Sequence, residues 1–153
     1  MISTIQLPNS DQMAELLESL YGLEVTPVPQ ADADIRVIAE YTDSDGTPVA
    51  WLGCDLVGAC RMGSALTQIP PSRVEESVSE QVLADTMQEN LFEVCNICVN
   101  LFVSSAGSRI SFSRLLTESD SEFADARTSV DAGEIIGLDV ARYGACTLRV
   151  AGT

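Results

Sequence analysis

A chain of 153 residues suffices for one hydrophobic core, and 46% hydrophobic against 20% charged residues is the profile of a globular chain. Its 23 acidic and 8 basic residues give a formal charge of −15, a surface that repels nucleic-acid phosphates and anionic lipid heads and suits a partner with a basic rim. All eight basic residues are arginine and histidine is absent, which excludes Schiff-base and P-loop lysines, Ser-His and Cys-His nucleophile pairs, and histidine metal sites.

Residues 1–8 lack the basic patch and apolar run of a signal peptide, and no stretch reaches about 18 consecutive apolar residues. A cytoplasmic protein without a membrane span is expected, in which the five cysteines (54, 60, 95, 98 and 146) are reduced and mostly buried. Asn9, Ser10 or Asp11 caps a first helix running to about Tyr21, with Gly22 as its stop and Met13, Leu16, Leu17 and Leu20 as its apolar stripe. Residues 25–29 leave as an extended, proline-marked segment.

Residues 35–42 alternate as a strand, and Asp43 to Gly46 is a turn signal. Residues 49–56 and 57–66 continue as an antiparallel meander with glycines at 53, 58 and 63, ended by Pro70-Pro71. Ser72 opens a short acidic helix, and residues 79–105, free of proline and glycine, read as one long helix. Residues 108–116 alternate as a strand, 117–134 read as an acidic loop with a weak edge strand, and 135–141 with 145–151 close the chain as a hairpin around Arg142-Tyr-Gly144. The expected fold is a single α+β domain over 1–153: an antiparallel sheet of five to six strands with two main helices packed on a face. Trp51 reads as core, and Tyr143 as packing of the last turn. The acidic run 118–125 lacks the spacing and glycine of a calcium loop and reads as a solvated loop.

The long helix carries the functional signal. At about 100° per residue, Met87, Leu91, Val94, Cys95, Cys98, Leu101 and Phe102 form a broad apolar arc. Cys95 and Cys98 are a CxxC, but on that arc they read as core packing rather than a redox pair. Glu89, Glu93, Asn96 and Asn100 fall within about 40° of one another on the opposite side, flanked by Phe92 and Ile97. Asparagine is a poor interior helix residue, and a strip chosen for solubility alone favours Lys, Arg, Gln and Glu. The strip is therefore the candidate site.

The run Glu89-Asn-Leu-Phe-Glu93-Val-Cys-Asn96-Ile-Cys-Val-Asn100 resembles the functional helix of the CheX/CheC family of chemotaxis phosphatases. That helix carries an acidic residue or serine, then E-x-x-N, then a small residue. The opening Leu17-Glu-Ser-Leu-Tyr-Gly-Leu-Glu-Val-Thr-Pro27 is similar to the family's first helix and its exit into a strand. The resemblance implies a CheC-like fold and a phosphorylated, CheY-like response regulator as partner. It makes Asn96 the residue that orients the attacking water and Glu93 the one that pairs with the regulator's lysine. Glu89, Phe92, Ile97 and Asn100 would be partner-binding. Mg2+ would come with the partner, so the chain needs no cofactor of its own. Glu18 stands where a second motif, on the first helix, would need asparagine, which makes the chain CheX-like with one site. Such members pair into dimers through sheet edges. Asn100 replaces the small residue, and the alternative it raises is a non-catalytic receiver-binding or signalling-assembly module of the same fold.

Overall fold

The computed structural model describes residues 4–29 and 31–153; residues 1–3 of the opening segment lie outside that description. A two-residue strand β1 (Ile5–Gln6) leads to α1 (Ser10–Tyr21), whose start is fixed by a reciprocal cap. The Asn9 side chain accepts from the Gln12 amide while the Gln12 side chain accepts from the Asn9 amide. Gly22, at φ 68°, ends the helix in the left-handed conformation that suits a residue without Cβ. Glu18 does local work: its carboxylate accepts from the Val25 amide and fixes the exit into β2 (Val25–Pro27).

Strands β3 (Val37–Thr42) and β4 (Pro48–Cys54) form the expected hairpin, closed by Asp43, whose carboxylate accepts from the Asp45 and Thr47 amides. Beyond β4 the chain departs from the expected meander. Residues 56–66 are not a strand but part of helix α2 (Leu56–Thr67), opened by Asp55 accepting from the Gly58 amide. Gly58, Ala59, Cys60, Met62, Gly63, Ser64 and Ala65 are all buried in it. A helix whose one charged residue is Arg61 shows little amphipathic period, and its apolar run reads equally as a strand.

The short acidic helix expected from Ser72 is α3 (Pro71–Glu80), which stops at Gln81, and the long helix expected over 79–105 is shorter at both ends, with α4 running only from Asp85 to Cys98. Gln81 takes the left-handed conformation at φ 58° and its own side-chain amide donates to the Val78 carbonyl, so it serves as the stop that glycine usually provides. A 3-10 turn, Val99–Leu101, follows α4 and leads into the short strand β5 (Val103–Ser104), which pairs with β1. Strand β6 (Ser111–Thr117) precedes a helix where a loop is expected: α5 (Phe123–Asp131). Its spacing of Phe123, Ala126 and Val130 is helical, but the composition is polar enough to hide it. Strands β7 (Glu134–Val140) and β8 (Gly144–Gly152) form the closing hairpin.

The six-stranded sheet is antiparallel throughout, in the order β2-β7-β8-β4-β3-β6, so β2 and β6 are its edges. The α+β class holds, with more helix than the two main elements expected. The main core gathers residues of α1, α2, α3 and α4 against one sheet face, with Val37, Ala39, Tyr41, Leu52, Leu138 and Leu148 among its strand members. On the opposite face α5 packs Phe123, Ala126 and Val130 against Ile35, Ile38 and Leu116. Gly53 makes room for that helix, because a Cβ there would stand 2.8 Å from Val130 Cγ1. Among the described residues no helix is long and apolar enough to cross a membrane.

The second face also holds the one buried carboxylate among the described residues, Glu40, which is 5% exposed. It accepts from Arg114 at 2.9 Å and from the Trp51 indole at 3.2 Å. Trp51 is therefore half-buried on this face rather than part of the main core. The acidic run after β6 is used locally, since Glu118 and Glu122 pair with Arg36 and Arg114 and Asp120 accepts from the Thr117 amide. Glu40→Ala leaves the indole donor without its acceptor and Arg114 without its buried partner. We expect it to lower stability by about 2 kcal/mol in urea unfolding, with Glu40→Gln losing about half as much because it keeps an acceptor.

Candidate functional site

Helix α4 is held from three directions. Beneath it, Gly63 of α2 lies so close that a Cβ would stand 2.3 Å from the Met87 carbonyl oxygen, so the two backbones touch with no side chain between them. From the sheet, the Tyr41 hydroxyl donates to the Cys95 carbonyl at 2.7 Å, one residue before Asn96. From the side, Phe92 meets Phe112 of β6 edge-on, at 4.8 Å between ring centroids. Asn90 donates to the Thr67 hydroxyl at 2.8 Å and ties the middle of α4 to the end of α2.

So held, α4 buries Met87, Leu91, Val94, Cys95 and Cys98 as expected, and exposes Glu89, Phe92, Glu93 and Asn96, with Ile97 half-buried beside them. Phe92 is 45% exposed despite its contact with Phe112. Neither the Glu93 carboxylate nor the Asn96 carboxamide has a hydrogen-bond or ion-pair partner among the described residues. Residues three apart on a helix are surface neighbours, so both groups face the same approaching object.

Glu89, Phe92 and Glu93 form one wall of an open groove of about 580 Å³, with Asp85 and Gln88. The opposite wall is Ser113, Arg114 and Leu115 of β6. That wall was not legible in the sequence. The β3–β6 register jumps from Glu40↔Arg114 to Tyr41↔Phe112, leaving Ser113 as a bulged residue and breaking the two-residue alternation that would have assigned its face.

Asn100 is separated from the rest of the strip. Because α4 ends at Cys98, it lies in the 3-10 turn, where its amide donates to the Ile97 carbonyl at 3.0 Å. It lines a different hollow, with Phe102, Val103 and Ser104, and is not among the residues of the α4–β6 groove. All four polar residues of the strip are exposed, but only Glu89 and Glu93 line the groove; Asn96 lies beyond it on α4, and Asn100 finishes the helix terminus.

All five cysteines are free and buried. Burial pushes the Cys98 thiol up from 9.0 to about 12, and the Cys95 thiol well above its ordinary value. The pair is held protonated, the opposite of what a nucleophilic CxxC requires. At pH 8 a thiol reagent is expected to find none of the five in the native protein and all five after denaturant is added, as absorbance titration would show. The unfolded chain gives up thiol protons from about pH 9, whereas folded Cys98 and Cys146 hold theirs until about 12. This contribution to stability is complete below pH 9 and is lost as pH rises through that window.

No family model matches the sequence, and no curated protein matches it. Among solved structures the chain is similar to one in the CheX–CheY–BeF3–Mg2+ complex from Borrelia burgdorferi, at 12% identity and a TM-score of 0.47, over 91% of each chain. It is also similar to the FliM middle domain from H. pylori, at 7% identity and a TM-score of 0.46, over 94% of this chain and 84% of that one. CheX from Vibrio vulnificus is a third likeness, at 12% identity and a TM-score of 0.32, over 91% and 89%. These likenesses concern the path of the chain and assign no role to any residue.

Proposed function

We propose that the protein is a CheX-like phosphatase of a phosphorylated, CheY-like receiver domain, with Asn96 and Glu93 as its working pair. The observation that supports this most is the pair itself: an uncommitted carboxylate and an uncommitted carboxamide, one helical turn apart, on an exposed strip of a helix fixed from three sides. The E-x-x-N resemblance supplies the chemistry that such a pair suits.

In this reading the Asn96 amide enters the partner's active site and holds a water in line with the aspartyl phosphate. An amide both accepts from and donates to water and does not titrate. The water oxygen attacks phosphorus, the bond from phosphorus to the aspartate oxygen breaks, and inorganic phosphate and free aspartate result. Positioning and charge stabilisation carry such a step, with little covalent chemistry asked of the protein. Glu93 pairs with the partner's lysine and fixes the approach, Glu89 and Phe92 line the docking groove, and Ile97 extends the contact. Magnesium and lysine belong to the receiver, which fits a chain that has no lysine or histidine of its own. The carboxylates of the strip would repel a phosphorylated surface unless cations surround it, so the docking face of the partner is basic.

The test is phosphate release from a CheY-like receiver charged with a small phosphodonor, measured with and without the protein. Acceleration over the receiver's own rate is expected. Release at the receiver's own rate sinks the enzymatic reading, and saturable binding without acceleration would assign the chain to non-catalytic docking.

A further inference from the structure

A second hollow, away from α4, lies between α3 and the β7–β8 turn. It has a volume of about 200 Å³ and an apolar wall of Pro71, Val74 and Val78, facing Arg61, Arg142 and Tyr143. Two of only eight arginines meet here in a chain with 23 acidic residues. Arg36, Arg114 and Arg127 each pair with a carboxylate, whereas the other five arginines, Arg61 and Arg142 among them, form no ion pair with any described residue. The partners of these two are neutral: Arg61 donates to the Ala145 carbonyl at 2.5 Å and Arg142 to Gln68 Oε1 at 3.3 Å. A guanidinium has five N–H donors, so each retains most of its capacity.

The turn is shaped around these two side chains. Arg142 holds φ 76°, a left-handed backbone that a residue with Cβ adopts only at a cost. Its guanidinium stands 5.9 Å from the centre of the Tyr143 ring, and Tyr143 is pinned by donating to the Ile69 carbonyl at 2.7 Å. Arg61 lies against bare backbone at Gly144, where a Cβ would stand 3.2 Å from its Cζ. The acids that face the arginines are Glu75, on the rim of the hollow, and Asp55, whose carboxylate feels Arg61; neither is within ion-pair distance of either arginine.

We propose that this hollow is a binding site for a small organic carboxylate, gripped by Arg61 and Arg142, with a short aliphatic body resting on Val74, Val78 and Pro71. Planar guanidinium forks match the carboxylate, and the apolar wall accepts the carbon chain. A phosphate would leave that wall uncovered and place a higher charge beside Glu75.

The test is a 15N-resolved NMR titration with isobutyrate, alongside inorganic phosphate and chloride at matched ionic strength. Isobutyrate is expected to give saturable shifts at the amides of Val74, Val78, Tyr143 and Gly144. Arg142→Gly, which suits the left-handed backbone and removes the guanidinium, should weaken binding about tenfold, and Arg61→Gln by a similar factor. Unchanged spectra elsewhere report that each variant is folded. Glu75→Gln should tighten binding. Shifts that do not saturate, that chloride or phosphate reproduces equally, or that survive both arginine substitutions would overturn the proposal.

Discussion

Replacing Asn96 by alanine is expected to make the protein slightly more stable and about 100-fold slower at releasing phosphate from a charged receiver domain. The two effects have opposite signs for separate reasons. Asn96 is exposed within α4 and its side chain bonds to no described residue, so truncation removes nothing from the fold. Alanine is the better helix former, worth about 0.5 kcal/mol. Activity in the proposed mechanism depends on one oriented amide, and losing a single preorganised group of that kind typically costs about 100- to 1,000-fold. Thermal unfolding and phosphate release on the same preparation measure both. A variant as active as the parent would remove Asn96 from the mechanism. Glu93→Gln should act differently, raising the receiver concentration needed for half-maximal rate more than it lowers the maximal rate, because it weakens docking while leaving the water-holding amide in place.

Gly63→Val is expected to damage the fold severely, costing at least about 3 kcal/mol in chemical denaturation. A Cβ at position 63 would lie 2.3 Å from the Met87 carbonyl oxygen and 3.1 Å from its carbon, both atoms of helix backbone. No rotamer change relieves such an overlap, so α4 itself must move. Alanine meets the same obstacle but recovers about 1 kcal/mol of helix propensity that glycine forgoes, and should cost less. Both variants should lower phosphate release further than their loss of stability explains, since the displaced helix carries Glu93 and Asn96. Undiminished stability in Gly63→Val would mean that α2 and α4 do not pack backbone to backbone.

Much of this arrangement was legible because particular residues obey strong local rules. Asn9 and Gly22 bracket α1, the Asp43 to Gly46 turn fixes the β3–β4 hairpin, and the apolar arc of α4 runs along the side that is buried. The outward strip of Glu89, Glu93 and Asn96 could be placed for the same reason, and within it the E-x-x-N resemblance singled out Glu93 and Asn96. The errors have equally local causes. Gln81 replaces the glycine that marks a helix end, and satisfies the terminal carbonyl with its own amide, so the start of the long helix reads as residue 79 although α4 begins only at Asp85. Gly58 and Gly63 suggest strand or turn, whereas in α2 they record how closely other atoms approach. Asn100 follows the helical period in sequence, but the chain leaves that period for a 3-10 turn just before it. The Ser113 bulge conceals the second wall of the groove, since a register shift depends on the partner strand. Arg61 and Arg142 belong to separate elements far apart in the chain, and no local pattern brings them together.

The contact at Gly63 also separates what can vary from what cannot. The elevation of α4 over the sheet is set by touching backbones and by the Tyr41 hydroxyl, and the strip facing outward takes no part in either. Glu89, Glu93 and Asn96 can therefore be exchanged as a set while the interior stays as it is, whereas Phe92 is tied to Phe112. A lineage, or an engineer, could retarget this scaffold to a different receiver by rewriting those outward positions, whereas any rewriting of position 63 would shift the aim of them all at once.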